Sequence, residues 1–385
     1  MAKNLAAMNS LEERISALAK MAENFKERAA EIDEKGEFVY ENIADLKNCG
    51  YTALTIPKVF GGQEISLYDY IRLQEVIAQG DGATALSIGW HMGVVRNMYE
   101  NKWNPKVLAA VYERLHKGAL INAAATEPQT GSPTRGGKPQ TTAEKIGDKW
   151  VINGHKSFTT MSVVLDYFVV SASIKHTEEI GNFLICKENK GIRIEETWDS
   201  IALKGTGSHD VYFENVEVEQ DNYVETLGGA KRINPWLLHI PACYLGIAGA
   251  AQKEAVQFAK SYAPNSITGT ISELPSVRTK IGEMELKMLQ AKYFLYSVSK
   301  TWDETKEEEK EHLLPQLSAA KLVVTNTAIE VVDLAMRIVG ARSLSAKSPL
   351  QRYYRDIRAG LHNPPMDDMT IAQLAGYSLN QYKKD

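Results

Sequence analysis

The residues with the clearest chemical use lie in one stretch, Leu120–Thr160. It opens on the small side chains Ala123, Ala124 and Ala125, then runs into Thr126-Glu127-Pro128 and Gly131-Ser132-Pro133. Small side chains before a turn punctuated by Pro and Gly let a flat ligand lie against the backbone. The hydroxyls of Thr126 and Ser132, with exposed backbone N–H groups, can bind a polar ring edge or a phosphate. A hairpin signature follows: Thr141–Ile146, a Gly147-Asp148 turn and Lys149–Gly154. Phe158, Thr159 and Thr160 close the stretch, an aromatic ring beside two hydroxyls. The hairpin alone is an ordinary antiparallel β segment. Loop and hairpin together predict a site for a planar ligand with polar edges.

Other candidate groups are His91, Tyr354-Arg355-Asp356, His362 and the pair Asp367-Asp368. His91 sits in an apolar run, where a packed, hydrogen-bonded histidine is the ordinary reading. The eight histidines do not cluster at ligand spacing, and there is no C-x-x-C or H-E-x-x-H, so no metal is expected. A nucleophile elbow, a G-x-G-x-x-G turn and a phosphate-binding P-loop are all missing from the sequence.

The elements that must position these groups follow an α–β–α order. Ser10-x-x-Glu13 is a capping box, and Leu11, Ile15, Leu18, Met21, Phe25 and Ile32 recur at helical spacing. The helical pattern continues over Glu37–Asn48 and ends at Gly50; Leu54–Gly62 is a loop. Ser66 caps another helix, Ala83–Met98 is mostly apolar, and a fourth helix runs near Lys106–His116. Residues 119–218 change period: Asp166–Ile174, Asn182–Lys187 and Val211–Val218 read as strands of an antiparallel β domain. Helical spacing returns in Pro241–Tyr262, Ser272–Thr301 and Leu313–Val339, with short helices at 349–359 and 366–382. Glu304–Glu311 reads as a solvated linker. The expected class is α+β, mostly α: a helical domain 1–118, an antiparallel β-barrel or sandwich 119–223, and a four-helix bundle 224–385.

A net charge of −4, evenly spread, argues against a nucleic-acid or polybasic membrane surface. Cys49, Cys186 and Cys243 are far apart and odd in number, which predicts reduced thiols in a cytoplasmic protein. No apolar run reaches transmembrane length, and the first residues lack the features of a signal or transit peptide.

The pairing of Thr126-Glu127-Pro128-x-x-Gly131-Ser132 with Ile152-Asn153-Gly154-x-Lys156-x-Phe158-x-Thr160 resembles the acyl-CoA dehydrogenase family. The α–β–α order extends the resemblance over nearly the whole chain. It implies an FAD held by Ala125, Thr126, Ser132, Phe158 and Thr160, with Phe158 standing where the family usually has Trp. It implies that Ser132 also touches the thioester arm of an acyl-CoA, that the helix of His91 lines the acyl pocket, and that Trp236 stands at a second family position for the base. A homotetramer, and transfer of electrons to an electron-transfer flavoprotein, come with the family.

Several positions depart from the family pattern. The base that takes the Cα proton, while a hydride leaves Cβ for flavin N5, usually follows Tyr-Arg-Asp in a C-terminal turn. Here Pro364 occupies its place, and Trp236 fills the alternative one. The CoA-contacting D-x-x-R reads Asn234-Pro235-Trp236-Leu237, and the Q-x-x-G-G-x-G loop begins Arg337-Ile338-Val339-Gly340. Arg337 can still meet a pyrophosphate, with Gly340 beside it. Asp367 and Asp368 are the nearest carboxylates to the turn. The run Arg355-Asp356-Ile357-Arg358…Leu361-His362-Asn363-Pro364 also looks like that of flavin-dependent monooxygenases of the same fold, in which a histidine helps activate oxygen. The resemblance therefore implies an acyl-CoA dehydrogenase with a displaced base (Asp367), alternatively a two-component monooxygenase using His362, alternatively a non-catalytic flavin- or acyl-CoA-binding member.

Overall fold

The computed structural model describes residues 4–131, 136–228 and 234–381. Five helices come first: α1 (Leu11–Lys35), α2 (Tyr40–Asn48), α3 (Leu67–Gly80), α4 (Gly82–Glu100) and α5 (Pro105–His116). Their ends follow the capping rules. Ser10 Oγ accepts from Glu13 N at 3.2 Å, and the Glu13 carboxylate accepts from Asn9 N at 3.0 Å. Gly36, at φ 68°, ends α1 in the left-handed region, so the helix expected from Glu37 starts only at Tyr40. Asp81 caps α4, accepting from Thr84 N at 2.8 Å and Thr84 Oγ1 at 2.6 Å.

Eight strands form one sheet: β1 (Ile121–Ala124), β2 (Thr142–Ile146), β3 (Lys149–Thr159), β4 (Tyr167–Ile174), β5 (Ile180–Cys186), β6 (Ile192–Glu195), β7 (His209–Glu219) and β8 (Tyr223–Leu227). The order is β6-β7-β3-β2-β4-β5-β8, with β1 beside β4. Most pairings are antiparallel, as expected, while β4 runs parallel to both β1 and β2. After the β2–β3 hairpin the chain crosses back to the start of β1 before entering β4, which gives the three strands one direction. The sheet also continues past residue 223, since β8 pairs antiparallel with β5.

The second helical layer is α6 (His239–Ser261), α7 (Pro275–Glu304), α8 (Leu314–Val339), α9 (Pro349–Arg358) and α10 (Asp367–Gln381). Between α7 and α8, Glu307–Leu313 forms a 3-10 helix with no buried residue. Helix α6 lies against α7, α8 and α3. A Cβ added at Gly246 would sit 2.4 Å from the Glu75 carbonyl oxygen, so the small-residue face of α6 lets α3 approach within the same chain. One apolar core runs through the helices and into the sheet. A second, built on Ile56, Val95, Val111, Ile121 and Leu184, joins α4 and α5 to the sheet.

Candidate functional site

The loop Thr126–Gly131 is held by a buried charge. Glu127 Oε1 accepts from Lys156 Nζ at 2.7 Å, on β3, and both side chains are buried. The same carboxylate accepts from Gln140 N at 2.7 Å, Thr141 N at 3.0 Å and Thr130 Oγ1 at 2.9 Å. Burial pushes its pKa up, but the bonds from Lys156 and Thr141 outweigh that and hold it at about 2. The Lys156 ammonium is shifted down by burial, opposed by Glu127. Thr126 O accepts from Ser157 N at 2.9 Å, which lays the loop along β3. The motif's acidic residue is thus the buried brace of the loop. Ser132 lies outside the described residues.

Beyond the brace, β3 ends in an aromatic and hydroxyl platform. Phe158 has φ 54°, a conformation uncommon for a residue with a side chain, and is 64 % exposed. Its ring meets the Trp198 ring edge-on at a centroid distance of 5.9 Å. Around it the buried Ser157 Oγ, Thr159 Oγ1 and Trp198 Nε1 have no hydrogen-bond partner among the described residues. Thr160 Oγ1 pairs with Ser208 Oγ at 3.0 Å, and Ser208 with Thr206 Oγ1 at 2.9 Å. Ala125 and Thr126 are half-buried beside this platform. An exposed aromatic face next to unpaired donors and acceptors fits a planar ring system with polar edges, the chemistry of an isoalloxazine.

The turn after α9 is anchored on both sides of an exposed histidine, the far side by the Tyr244 hydroxyl donating to Asn363 Oδ1. Arg355 forks onto Asp33 of α1, with Nη1–Oδ1 at 3.0 Å and Nη2–Oδ2 at 2.5 Å. Asp356 is buried and accepts from Leu203 N at 2.6 Å; burial raises its pKa to about 7. Asp356 therefore holds the Leu203–Ser208 segment, which in turn reaches Thr160. His362, by contrast, is exposed and makes no side-chain hydrogen bond among the described residues; it does not pair with Asp356. Asp367 starts α10, where it accepts from Asn326 Nδ2 at 2.8 Å and lies 3.4 Å from the buried Lys321 Nζ.

His91 is not in the lining of the cavity beside α4. Its Nε2 lies 3.0 Å from Thr52 O and its Nδ1 accepts from Ile121 N at 3.1 Å, so both ring nitrogens are used by the backbone. Burial lowers its pKa to about 4 and keeps it neutral. The neighbouring Trp90 faces the cavity instead. That cavity, about 220 Å³, lies between α4, the sheet and the start of α6, with Trp236 and His239 in its lining. Trp236 is 3 % exposed and donates Nε1 to Glu100 Oε2 at 2.9 Å. His239 escaped the sequence reading, as did the bracing role of Glu127 and Lys156. Only the conjunction of a histidine with the helix start after Asn234-Pro235-Trp236 hinted at His239. Arg337 is exposed and pairs with Asp333 at 2.7 Å, while Gly340, at φ 68°, closes α8.

Models of the N-terminal, middle and C-terminal domains of acyl-CoA dehydrogenases match residues 12–106, 122–216 and 232–361. YdbM of Bacillus subtilis (strain 168) is 52 % identical over 361 residues, 93 % of this chain and 94 % of that protein. The chain belongs to the acyl-CoA dehydrogenase family. Its fold is similar to that of butyryl-CoA dehydrogenase from Megasphaera elsdenii (TM-score 0.85, 22 % identity, 97 % of this chain and 99 % of that one). It is as similar to TdsC from Paenibacillus sp. A11-2, solved with FMN and indole (TM-score 0.85, 23 % identity, 97 % and 98 %). Both likenesses concern the fold, and the equal scores favour neither chemistry.

Proposed function

We propose that the chain is an FAD-dependent oxidoreductase that removes a proton from Cα and a hydride from Cβ of an acyl-CoA thioester. The observation that carries this reading is the braced platform: an exposed Phe158 face beside Thr160 and buried hydroxyls without partners, held by Glu127 and Lys156. Bound FAD would supply the hydride acceptor. Ala125, Thr126, Ser132, Phe158 and Thr160 would hold its ring. The platform's fixed hydrogen-bonding groups would orient the ring without reorganisation.

Two groups are proposed for the proton. Asp367 must leave Asn326 and Lys321 to act as a base, whereas His362 has no such ties among the described residues. That contrast supports a second reading, a two-component flavin monooxygenase with His362 as acid/base, since an imidazole can both take and give a proton. A non-catalytic binding member is the third. Arg337 and Gly340 would meet the FAD of a neighbouring subunit in a homotetramer, for which the exposed Leu286, Leu289 and Tyr293 of α7 offer apolar surface. An electron-transfer flavoprotein would reoxidise a dehydrogenase in the cytoplasm.

Anaerobic mixing of the purified yellow protein with a panel of acyl-CoAs tests the first reading. Bleaching of the flavin band that Asp367→Asn abolishes supports it. No bleaching, together with substrate-dependent oxygen uptake that His362→Gln abolishes, replaces it with the monooxygenase. Neither activity leaves the binding member.

A further inference from the structure

His239 is 1 % exposed, lines the cavity, and has no hydrogen-bond partner at either ring nitrogen among the described residues. A buried imidazole without partners costs the fold free energy that a bonded or apolar side chain would not. The place is nevertheless shaped for it. Position 89 on α4 is glycine, and a Cβ there would sit 2.3 Å from His239 Nδ1. The Trp90 ring packs edge-on against the imidazole at 4.8 Å. The rest of the lining is mixed: the indoles of Trp90, Trp103 and Trp236 and a few aliphatic side chains stand with asparagine amides and the Glu225 carboxylate. The cavity, about 220 Å³, is smaller than the ~300–1,000 Å³ of drug-sized ligand sites. Indoles favour a ring over a flexible alkyl chain. Asn182 and Asn234 are already bonded, to Glu225 and to Trp236 N, so the imidazole is the polar group that an alkyl chain would leave unsatisfied, and sites of this kind discriminate strongly against such analogues.

We propose that His239 recognises the substrate: its imidazole hydrogen-bonds a hydroxyl or carbonyl substituent on a ring carried at the end of the acyl group. This rests on the acyl-thioester reading above for the thioester, but not for the ring. Burial lowers the pKa of His239 to about 3, so the ring stays neutral, with one donor and one acceptor, and suits an uncharged substituent.

The test uses the purified flavoprotein and the quenching of its cavity tryptophans. The probes are 3-(4-hydroxyphenyl)propanoyl-CoA, 3-phenylpropanoyl-CoA and octanoyl-CoA, with the corresponding amides of the two ring acids. The expected result is tighter binding of the hydroxylated probe by about tenfold, the worth of one good hydrogen bond. His239→Leu should abolish that preference while binding the plain phenyl probe at least as well, and His239→Gln, which keeps a donor and an acceptor, should restore part of it. Equal affinity of wild type for hydroxylated and plain probes overturns the proposal even if a variant fails to fold. So does an undiminished preference in His239→Leu, or tighter binding of octanoyl-CoA; in these cases bleaching by the thioesters leaves the acyl-CoA reading standing. A preference among the amides, lost in His239→Leu, without binding of any thioester keeps the proposal and removes the acyl-CoA reading. Binding of no probe removes both.

Discussion

The platform at the end of β3 and the turn after α9 meet through the Leu203–Ser208 segment, yet they are built on opposite principles. The platform depends on a charge that must stay ionised, Glu127, surrounded by Lys156 and backbone donors. The turn depends on a carboxyl that burial favours in its neutral form, Asp356. Around the platform the Thr160 hydroxyl is held by Ser208, and the buried Ser157 and Thr159 hydroxyls have no partner among the described residues. The turn's ion pair and its buried carboxyl lie on its α9 side; beyond them the Tyr244 hydroxyl donates to Asn363 Oδ1 and Asp367 is tied to Asn326, while His362 between these ties is exposed and Pro364 half-buried. A family member can thus keep its flavin scaffold while the residues of the turn change, because the turn contributes little to holding the scaffold's brace.

The strongest way to break this comparison is Lys156→Met, which leaves Glu127 buried and uncompensated. A loss of about 3–5 kcal/mol in chemical denaturation is expected, with loss of bound flavin. A loss below about 1 kcal/mol would show that the brace is not what fixes the loop. Next comes pH. Glu127 titrates in the folded chain at about 2 against an ordinary 4.5, so its stabilisation is present above pH 4.5 and disappears as pH falls towards 2. Asp356, raised from 3.8 to about 7, has the opposite sign: the folded chain keeps a proton that the unfolded chain releases, so stability falls as pH rises from about 4 to 7. Asp356→Asn should flatten that upper slope in thermal melts and leave the acid limb unchanged. A smaller effect is expected from Thr126→Val with Thr160→Val, which removes about 1–3 kcal/mol of flavin affinity per buried bond; unchanged affinity in equilibrium dialysis excludes the platform as the flavin site. Smallest is the effect of His362→Gln on stability, expected within about 0.5 kcal/mol by denaturation because the side chain is exposed.

Helix starts were legible in the sequence where a cap marked them, at Ser10 and Ser66, whereas the stop at Gly36 was read through because the helical pattern resumes at Glu37. The strands β1, β6 and β8 were not, for different reasons. Ile121–Ala124 is short and rich in alanine, Ile192–Glu195 has only four residues, and Tyr223–Leu227 sits beyond an apparent change of period. Parallel pairing of β4 with β1 and β2 depends on the path of a crossing segment, which local propensity does not encode. In the site, the loop motif and Phe158–Thr160 were visible as a pattern. The roles within the pattern were not, since whether Glu127 meets a ligand or Lys156 depends on a contact across 29 residues. His91 and His239 show the same limit. Both sit in apolar helices, and only the three-dimensional neighbours separate a ring bonded at both nitrogens from one bonded at neither.

The fork of Arg355 onto Asp33 spans 322 residues. At ribosomal rates of about 5–20 residues per second, Asp33 waits roughly 15–65 s after its own synthesis before its partner exists. Through that interval α1 can pack on α3, but Asp33 lacks the guanidinium it pairs with in the finished fold. A nascent chain arrested anywhere before α9 therefore carries an N-terminal helix whose end is unfastened, and completion of the last helices is what closes the first one.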